Sequence, residues 1–290
     1  VLKKQAPPST APVPATTTPW HFTSFIRLLG YDLPRTVYAP GDVVSLTTYT
    51  ESLSPPDATV GWRVELVDRN GSVVSKASGD PFANKYPLQR WPPGQYARDV
   101  WTLPLDPGLL PGVYHLQMGL YRRTDGEFTD VYAKVSDPAR LHFVAAPLAN
   151  IKIPPVSPGP DEMGAATPLR ARVGDAFVLA GYVLRPDLPA RKVHLTLYWQ
   201  SLTATENDYT AFVHLVDSSG NIVAQKDAPP LDGNFPTSAW EAGETIREQY
   251  DFQIPADSAW PATVEIGMYT PGDLKRLGVG AQDHITLIVK

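Results

Sequence analysis

Apolar and polar residues alternate over short runs along the chain, and helical spacing is sustained nowhere. In "VHLTLYWQ", Val193, Leu195, Leu197 and Trp199 fall on one side of a strand and His194, Thr196, Tyr198 and Gln200 on the other. In "GVYHLQMGLY", Tyr114, Leu116, Met118 and Leu120 share a face. Gly, Pro, Asp and Asn break the runs at the roughly ten-residue spacing of an all-β sandwich. The pattern predicts strands near 24–32, 43–51, 60–68, 72–78, 96–104, 112–122 and 139–145. A second set follows near 176–184, 193–200, 209–217, 221–227, 245–254, 262–269 and 284–289.

The two sets are one unit written twice. A shift of 149 positions, the distance from Val44 to Val193, pairs Leu46, Tyr49 and Ser52 with Leu195, Tyr198 and Ser201 without a gap. It also pairs Val64-x-Leu66-Val67-Asp68 with Val213-x-Leu215-Val216-Asp217, Trp91 with Trp240, Gly94 with Gly243, and Arg98 with Arg247. A register this long implies a tandem duplication. The expected architecture is therefore two immunoglobulin-like β-sandwich domains, at residues 20–146 and 169–290. Residues 1–19 and 147–168 are Pro-rich and polar, so they read as an N-terminal tail and a linker. Each precedes a first strand carrying Gly-Tyr, in "LLGYDL" and "LAGYVL", and the tail looks like the linker of a further unit.

Composition narrows the function classes. A net charge of −5, with Lys and Arg scattered, gives no basic stripe for a nucleic acid backbone. No apolar run reaches the roughly 20 residues of a membrane span. The absence of Cys removes disulfides, thiolate catalysis and Cys-ligated metals. Thirty-one prolines beside three Met match the loop-stiffened composition of thermophilic proteins. A chain opening on Val1 rather than Met is expected to be processed or cut from a longer one.

Candidate chemistry is sparse. "DRNG" (Asp68–Gly71) and "DSSG" (Asp217–Gly220) lack the distal Glu of a calcium loop and fit hairpins that need a left-handed Gly. Asn70-Gly71-Ser72 fits a glycosylation acceptor, and Thr16-Thr17-Thr18 either an O-glycosylated stalk or a plain spacer. His194 and His214, on neighbouring predicted strands, are the one histidine pair to test, but no third ligand accompanies them, and no metal or cofactor is expected. Glu206 and Asp208 face Asp57 and Thr59 across the repeat, so that loop keeps no acid/base pair. P-loop, GxSxG, HExxH and Rossmann motifs are absent.

The sharpest repeated positions are Trp91 and Trp240, preceded by Tyr86-Pro87 and Phe235-Pro236. These aromatics could form a platform for a sugar ring or plug a long loop against the sandwich. The plug is favoured, because the flanking polar residues a sugar needs are not repeated.

The stretch "VHLTLYWQSL…DYTAFVHLVDSSGNIVAQKDAPPLDGNFPTSAWEAGE" resembles β-sandwich modules appended, often in tandem, to large bacterial membrane proteins of the mannosyltransferase-like glycosyltransferase type. The resemblance covers about residues 20–290 and is strongest in the second unit. It implies an extracellular or cell-surface location and an accessory, non-catalytic role. The first unit departs from the pattern with Thr48 and Thr50 where Leu197 and Trp199 stand. The expected function is a structural protein whose copies join head to tail through residues 1–19, with Val1, Leu2, Pro7, Pro8, Pro12 and Pro14 laid on the next chain. The alternative is a carbohydrate-binding accessory module whose partner is a cell-surface glycan.

Overall fold

The computed structural model describes residues 10–18, 20–22, 24–56, 59–80, 88–124, 127–131, 133–135 and 145–290. The chain divides into two units, Val1–Ile153 and Pro154–Lys290, each an all-β sandwich of two antiparallel sheets.

The first unit contains β1 (Thr16–Thr17), β2 (Trp20–Phe22), β3 (Ile26–Asp32), β4 (Val43–Ser52), β5 (Thr59–Val67) and β6 (Val73–Gly79). It continues with β7 (Tyr96–Pro104), β8 (Gly112–Thr124), β9 (Glu127–Val131), β10 (Ala133–Val135) and β11 (Ala146–Ile153). One sheet runs β10-β2-β3-β4-β7 with β1 on β3, and the other runs β11-β8-β5-β6 with β9 on β8. The second unit opens with a short helix, α1 (Pro160–Ala165), then β12 (Thr167–Val173), β13 (Phe177–Asp187), β14 (Lys192–Ser201) and β15 (Thr210–Val216). β16 (Ile222–Ala228), β17 (Thr245–Gln253), β18 (Thr263–Tyr269) and β19 (Ile285–Ile288) complete it. Its sheets run β12-β13-β14-β17 and β16-β15-β18-β19. With β12 set aside, three strands face four in the immunoglobulin-like order, the chain crossing between sheets after β14, β16 and β17.

The alternating faces build the cores. Val193, Leu195, Leu197 and Trp199 meet Val213, Leu215, Val264 and Ile266 in the second sandwich, all buried. In the first, Leu46, Val64, Leu66, Leu116 and Met118 do the same. Each such side chain, fully buried, contributes about 1.5–3 kcal/mol.

Two boundaries correct the sequence reading. Residues 147–168 are not a linker throughout: Ala146–Ile153 pairs along β8 as the last strand of the first sandwich, with Ile151 and Ile153 wholly buried. Its prolines hid it, and they are tolerated because β11 is an edge strand with a bulge between Pro147 and Ala149. The strand expected at 139–145 falls almost wholly outside the described residues. β12 is the second correction. It too is a Pro-containing edge strand, bulged between Pro168 and Ala171, with Arg170 in the left-handed region.

The Gly-Tyr motifs now have a cause. β1 pairs with β3 at Thr16–Tyr31 and Thr17–Gly30, and β12 pairs with β13 at Thr167–Tyr182 and Pro168–Gly181. A Cβ on Gly30 would stand 2.0 Å from the Thr16 carbonyl oxygen and 2.5 Å from Pro14 Cγ. On Gly181 it would stand 3.0 Å from the Thr167 carbonyl oxygen. Glycine is thus the space into which each sandwich receives its leading segment.

Candidate functional site

Trp91 and Trp240 are each 1% exposed and Phe235 is wholly buried, so none presents a ring face to a ligand. The Phe177 ring meets Trp240 edge to face at 5.4 Å, and Trp240 Nε1 donates to the Phe235 carbonyl at 3.1 Å. Trp91 and Trp240 are plugs, and the Gly three residues after each turns the chain in the left-handed region. Gly94 and Gly243 then donate N–H bonds to the Ser52 and Ser201 carbonyls. Tyr86 lies outside the described residues.

Of the expected assembly tail, Val1, Leu2, Pro7 and Pro8 lie outside the described residues, Pro12 is half-buried and Pro14 is buried. Pro14–Thr18 rests on its own domain: Ala15 N donates to Asp32 Oδ1 at 2.7 Å, and Thr18 N to the Leu29 carbonyl at 3.1 Å. That corrects the expectation that Pro14 lies on the next chain.

His194 and His214 are not brought together. They stand on β14 and β15, in different sheets, because the chain crosses the sandwich between them. His194 Nδ1 is hydrogen-bonded to Asp251, and His214 Nε2 lies 2.9 Å from Asp227 Oδ1. Asp68 and Asp217 close their own hairpins, each accepting two backbone N–H bonds at 2.8–2.9 Å. These bonds hold the Asp217 carboxyl below its usual range. Asp208 accepts from Ser238 N at 3.1 Å and so steadies the Trp240 loop.

A concave groove of about 480 Å³ lies on the outer face of the β13-β14-β17 sheet. The residues that alternate away from the core meet there in cross-strand rows. Arg185 pairs with His194, and His194 with Asp251; Val183 pairs with Thr196, and Thr196 with Gln249; Tyr198 pairs with Arg247. At one end α1 lowers Glu162 onto the last row, where its Oε1 accepts from Tyr198 Oη at 3.1 Å and Arg247 Nη1 at 3.1 Å. Burial, and then the Glu162 carboxylate, push the Tyr198 hydroxyl above its usual value.

The first sandwich has a counterpart of one row only. Tyr49 and Arg98 are likewise cross-strand partners, and Tyr49 Oη donates to Asp32 Oδ2 at 2.5 Å. The Ala15 N–H, the Tyr49 hydroxyl and the Arg98 charge hold Asp32 below the usual carboxylate range. The other rows are Ser45–Thr102 and Thr47–Val100, with Val100 exposed. Among the described residues these rows carry no equivalent of the His194, Asp251 and Gln249 side chains.

The sequence reading does not single out the buried acid of the second unit. Glu248, on the core side of β17, accepts from Leu231 N at 2.9 Å and from Tyr250 Oη at 3.1 Å. Burial pushes its carboxyl up and, with the Glu248 charge second, pushes the Tyr250 hydroxyl well up. It holds a loop in which Leu231, Asp232 and Gly233 all have positive φ. The available signal was an acid at an inward strand position in both copies, Asp99 and Glu248, both buried.

No family model matches the chain, and no curated protein matches it. Among solved structures it is similar to the native conformation of E. coli alpha-2-macroglobulin, at 10% identity and TM-score 0.24, over 96% of this chain and 15% of that one. It is also similar to a DUF4785 family protein from Legionella pneumophila, at 12% identity and TM-score 0.24, over 87% of this chain and 55% of that one.

Proposed function

We propose that the chain is a non-catalytic binding module of the cell exterior whose second sandwich takes a glycan along the outer face of β13, β14 and β17. The observation that carries this reading is the set of charged and amide side chains, His194, Asp251 and Gln249 among them, gathered in one groove of the second unit, where the matching described positions of the first carry Ser45, Thr102 and Val100. Adjacent sugar hydroxyls both donate and accept, and planar Arg, Asp, Gln and His groups engage them in pairs. Strand positions hold those groups more rigidly than loops would. Val183 in the lining offers apolar surface to the C–H face of a ring.

The test is titration calorimetry and a glycan array with the full chain, beside a His194→Ala/Asp251→Ala double variant. Binding of an oligosaccharide that falls at least tenfold in the double variant, with the melting curve retained, supports the reading. Undiminished binding in that variant refutes it, and binding lost only in Trp240→Ala with the fold intact would move the site to the plug.

Head-to-tail assembly is the second reading, favoured by the open edges of β16 and β19, where Ile222 and Ile288 are exposed. The contact with a neighbour would then be made upstream of Pro14. Sedimentation of the full chain against one lacking residues 1–13 separates the two: polymers that vanish with the deletion support assembly, and a concentration-independent monomer excludes it.

A further inference from the structure

Resting on the glycan reading above, we propose that the end of the groove formed by Tyr198 and Arg247 is a carboxylate subsite. The groove's ligand is then an acidic sugar, a uronate, whose carboxylate takes the place of Glu162. The two sandwiches supply the argument. In both, a Tyr and an Arg stand opposite one another on adjacent strands, and in both a carboxylate lies against the pair. The first sandwich supplies that carboxylate from Asp32, a strand residue whose other oxygen is held by the Ala15 N–H. Its subsite is filled by the fold itself.

The second sandwich supplies it from Glu162 on α1, a six-residue helix with no buried residue and no side-chain cap. Six residues are too few to be helical on their own account. Glu162 joins α1 to the sheet through Tyr198 and Arg247, and Arg247 remains half-exposed at the groove end. A carboxylate so placed copies the head of a ligand and can be exchanged for one. A guanidinium and a phenol hydroxyl together form the charge-assisted set that discriminates a carboxylate from its ester. The positive charge of Arg185, which also reaches the Tyr198 hydroxyl, adds to the pull on an anion.

The experiment is calorimetry on the full chain with a uronate trisaccharide, its methyl ester and the neutral parent trisaccharide. The acid is expected to bind about tenfold tighter than the ester. Glu162→Gln should strengthen acid binding several-fold and leave the ester unchanged. Tyr198→Phe, a substitution that keeps the ring in place, should narrow the preference for the acid, and Arg247→Met should erase it. Hydrogen exchange at residues 159–166 should quicken when the acid binds. Equal affinity for acid and ester, binding of the neutral sugar alone, or a Glu162→Gln chain that binds the acid no better would overturn the subsite and leave the glycan groove standing. Failure of all three sugars, with no oligosaccharide retained on the array, would overturn both.

Discussion

The two sandwiches reach the same packing by moving one Trp across the core. In the second, Trp199 on β14 is buried in the same core as Ala211 on β15; in the first, Thr50 occupies the Trp199 position and Trp62 the Ala211 position. The departure at Thr48 has a similar answer, since Trp101 stands where Tyr250 does and its Nε1 donates to Thr48 Oγ1 at 2.9 Å. Close packing constrains the summed volume of facing residues more tightly than the identity of either one. Turn and plug positions behave differently: Asp68 and Asp217, Gly71 and Gly220, and Trp91 and Trp240 keep both residue and place. Those positions are set by local backbone geometry or by a loop's single anchor, which no neighbour can replace.

The ends of the sandwiches differ in another way. Tyr114, near the start of β8, donates to the Leu110 carbonyl at 2.7 Å, the tyrosine corner of immunoglobulin-like domains. The second unit has no Tyr there. Its Arg191 side chain instead clamps the loop after β17, donating to the carbonyls of Ile254 at 3.2 Å and Ser258 at 2.7 Å. The corner is a general need of the fold, and the chemistry that meets it is open.

The largest effect that would break the comparison comes from the plugs. Trp240→Ala should cost about 3–5 kcal/mol, lowering the melting of the second unit and leaving the first unchanged; Trp91→Ala should do the reverse. Calorimetry of the full chain reads both, and a Trp240→Ala variant that melts like the parent would remove the plug role.

Next is the buried acid. Glu248→Ala strands the Leu231 N–H and the Tyr250 hydroxyl and should cost roughly 2–4 kcal/mol, whereas Glu248→Gln keeps an acceptor. Because folding raises the Glu248 pKa, the folded form holds its proton more tightly than the unfolded chain. Stability is therefore lost as pH rises above the ordinary glutamate value of 4.5. The melting temperature of the second unit against pH should slope downward there, and Glu248→Gln should flatten the slope. An unchanged slope would assign it to other groups.

Docking of the leading segments should respond unequally. Gly30→Ala drives a Cβ into the Thr16 carbonyl and should free β1, at about 1–3 kcal/mol. Gly181→Ala, with its wider clearance, should cost less than Gly30→Ala. Amide exchange at Thr16 and Thr17 against that at Thr167 orders the two. The smallest expected effect is Tyr114→Phe, about 1 kcal/mol for one hydrogen bond, read as a small shift confined to the first unit's melting. Loss of much more would mean that the corner also positions β8.

How much of this the sequence disclosed depends on the range of the interaction. Thirteen of the expected strands sit within a few residues of the observed ones, because period-two alternation and turn residues are local signals. β11 and β12 were missed because edge strands tolerate Pro and need bury only one face in part, so they look like linkers. The Trp positions were found by repetition, but whether they faced solvent or core depended on burial. The groove was legible only in outline: His194, Thr196 and Tyr198 were placed together on the outer face of β14, yet their neighbours on β13 and β17 lie far along the chain.

By itself, then, the sequence determined the all-β class, the duplication and the turns, since alternation and Gly-bearing hairpins act within ten or so residues and repeat in register. Only the tertiary structure decided what alignment of strands could decide. It placed Arg247 and Asp251 beside Tyr198 and His194, seated Glu162 on that pair, and tied Pro14–Thr18 to its own β3. Those contacts reach as far as 85 positions along the chain, and their geometry follows from which strands pair and where the chain crosses between sheets.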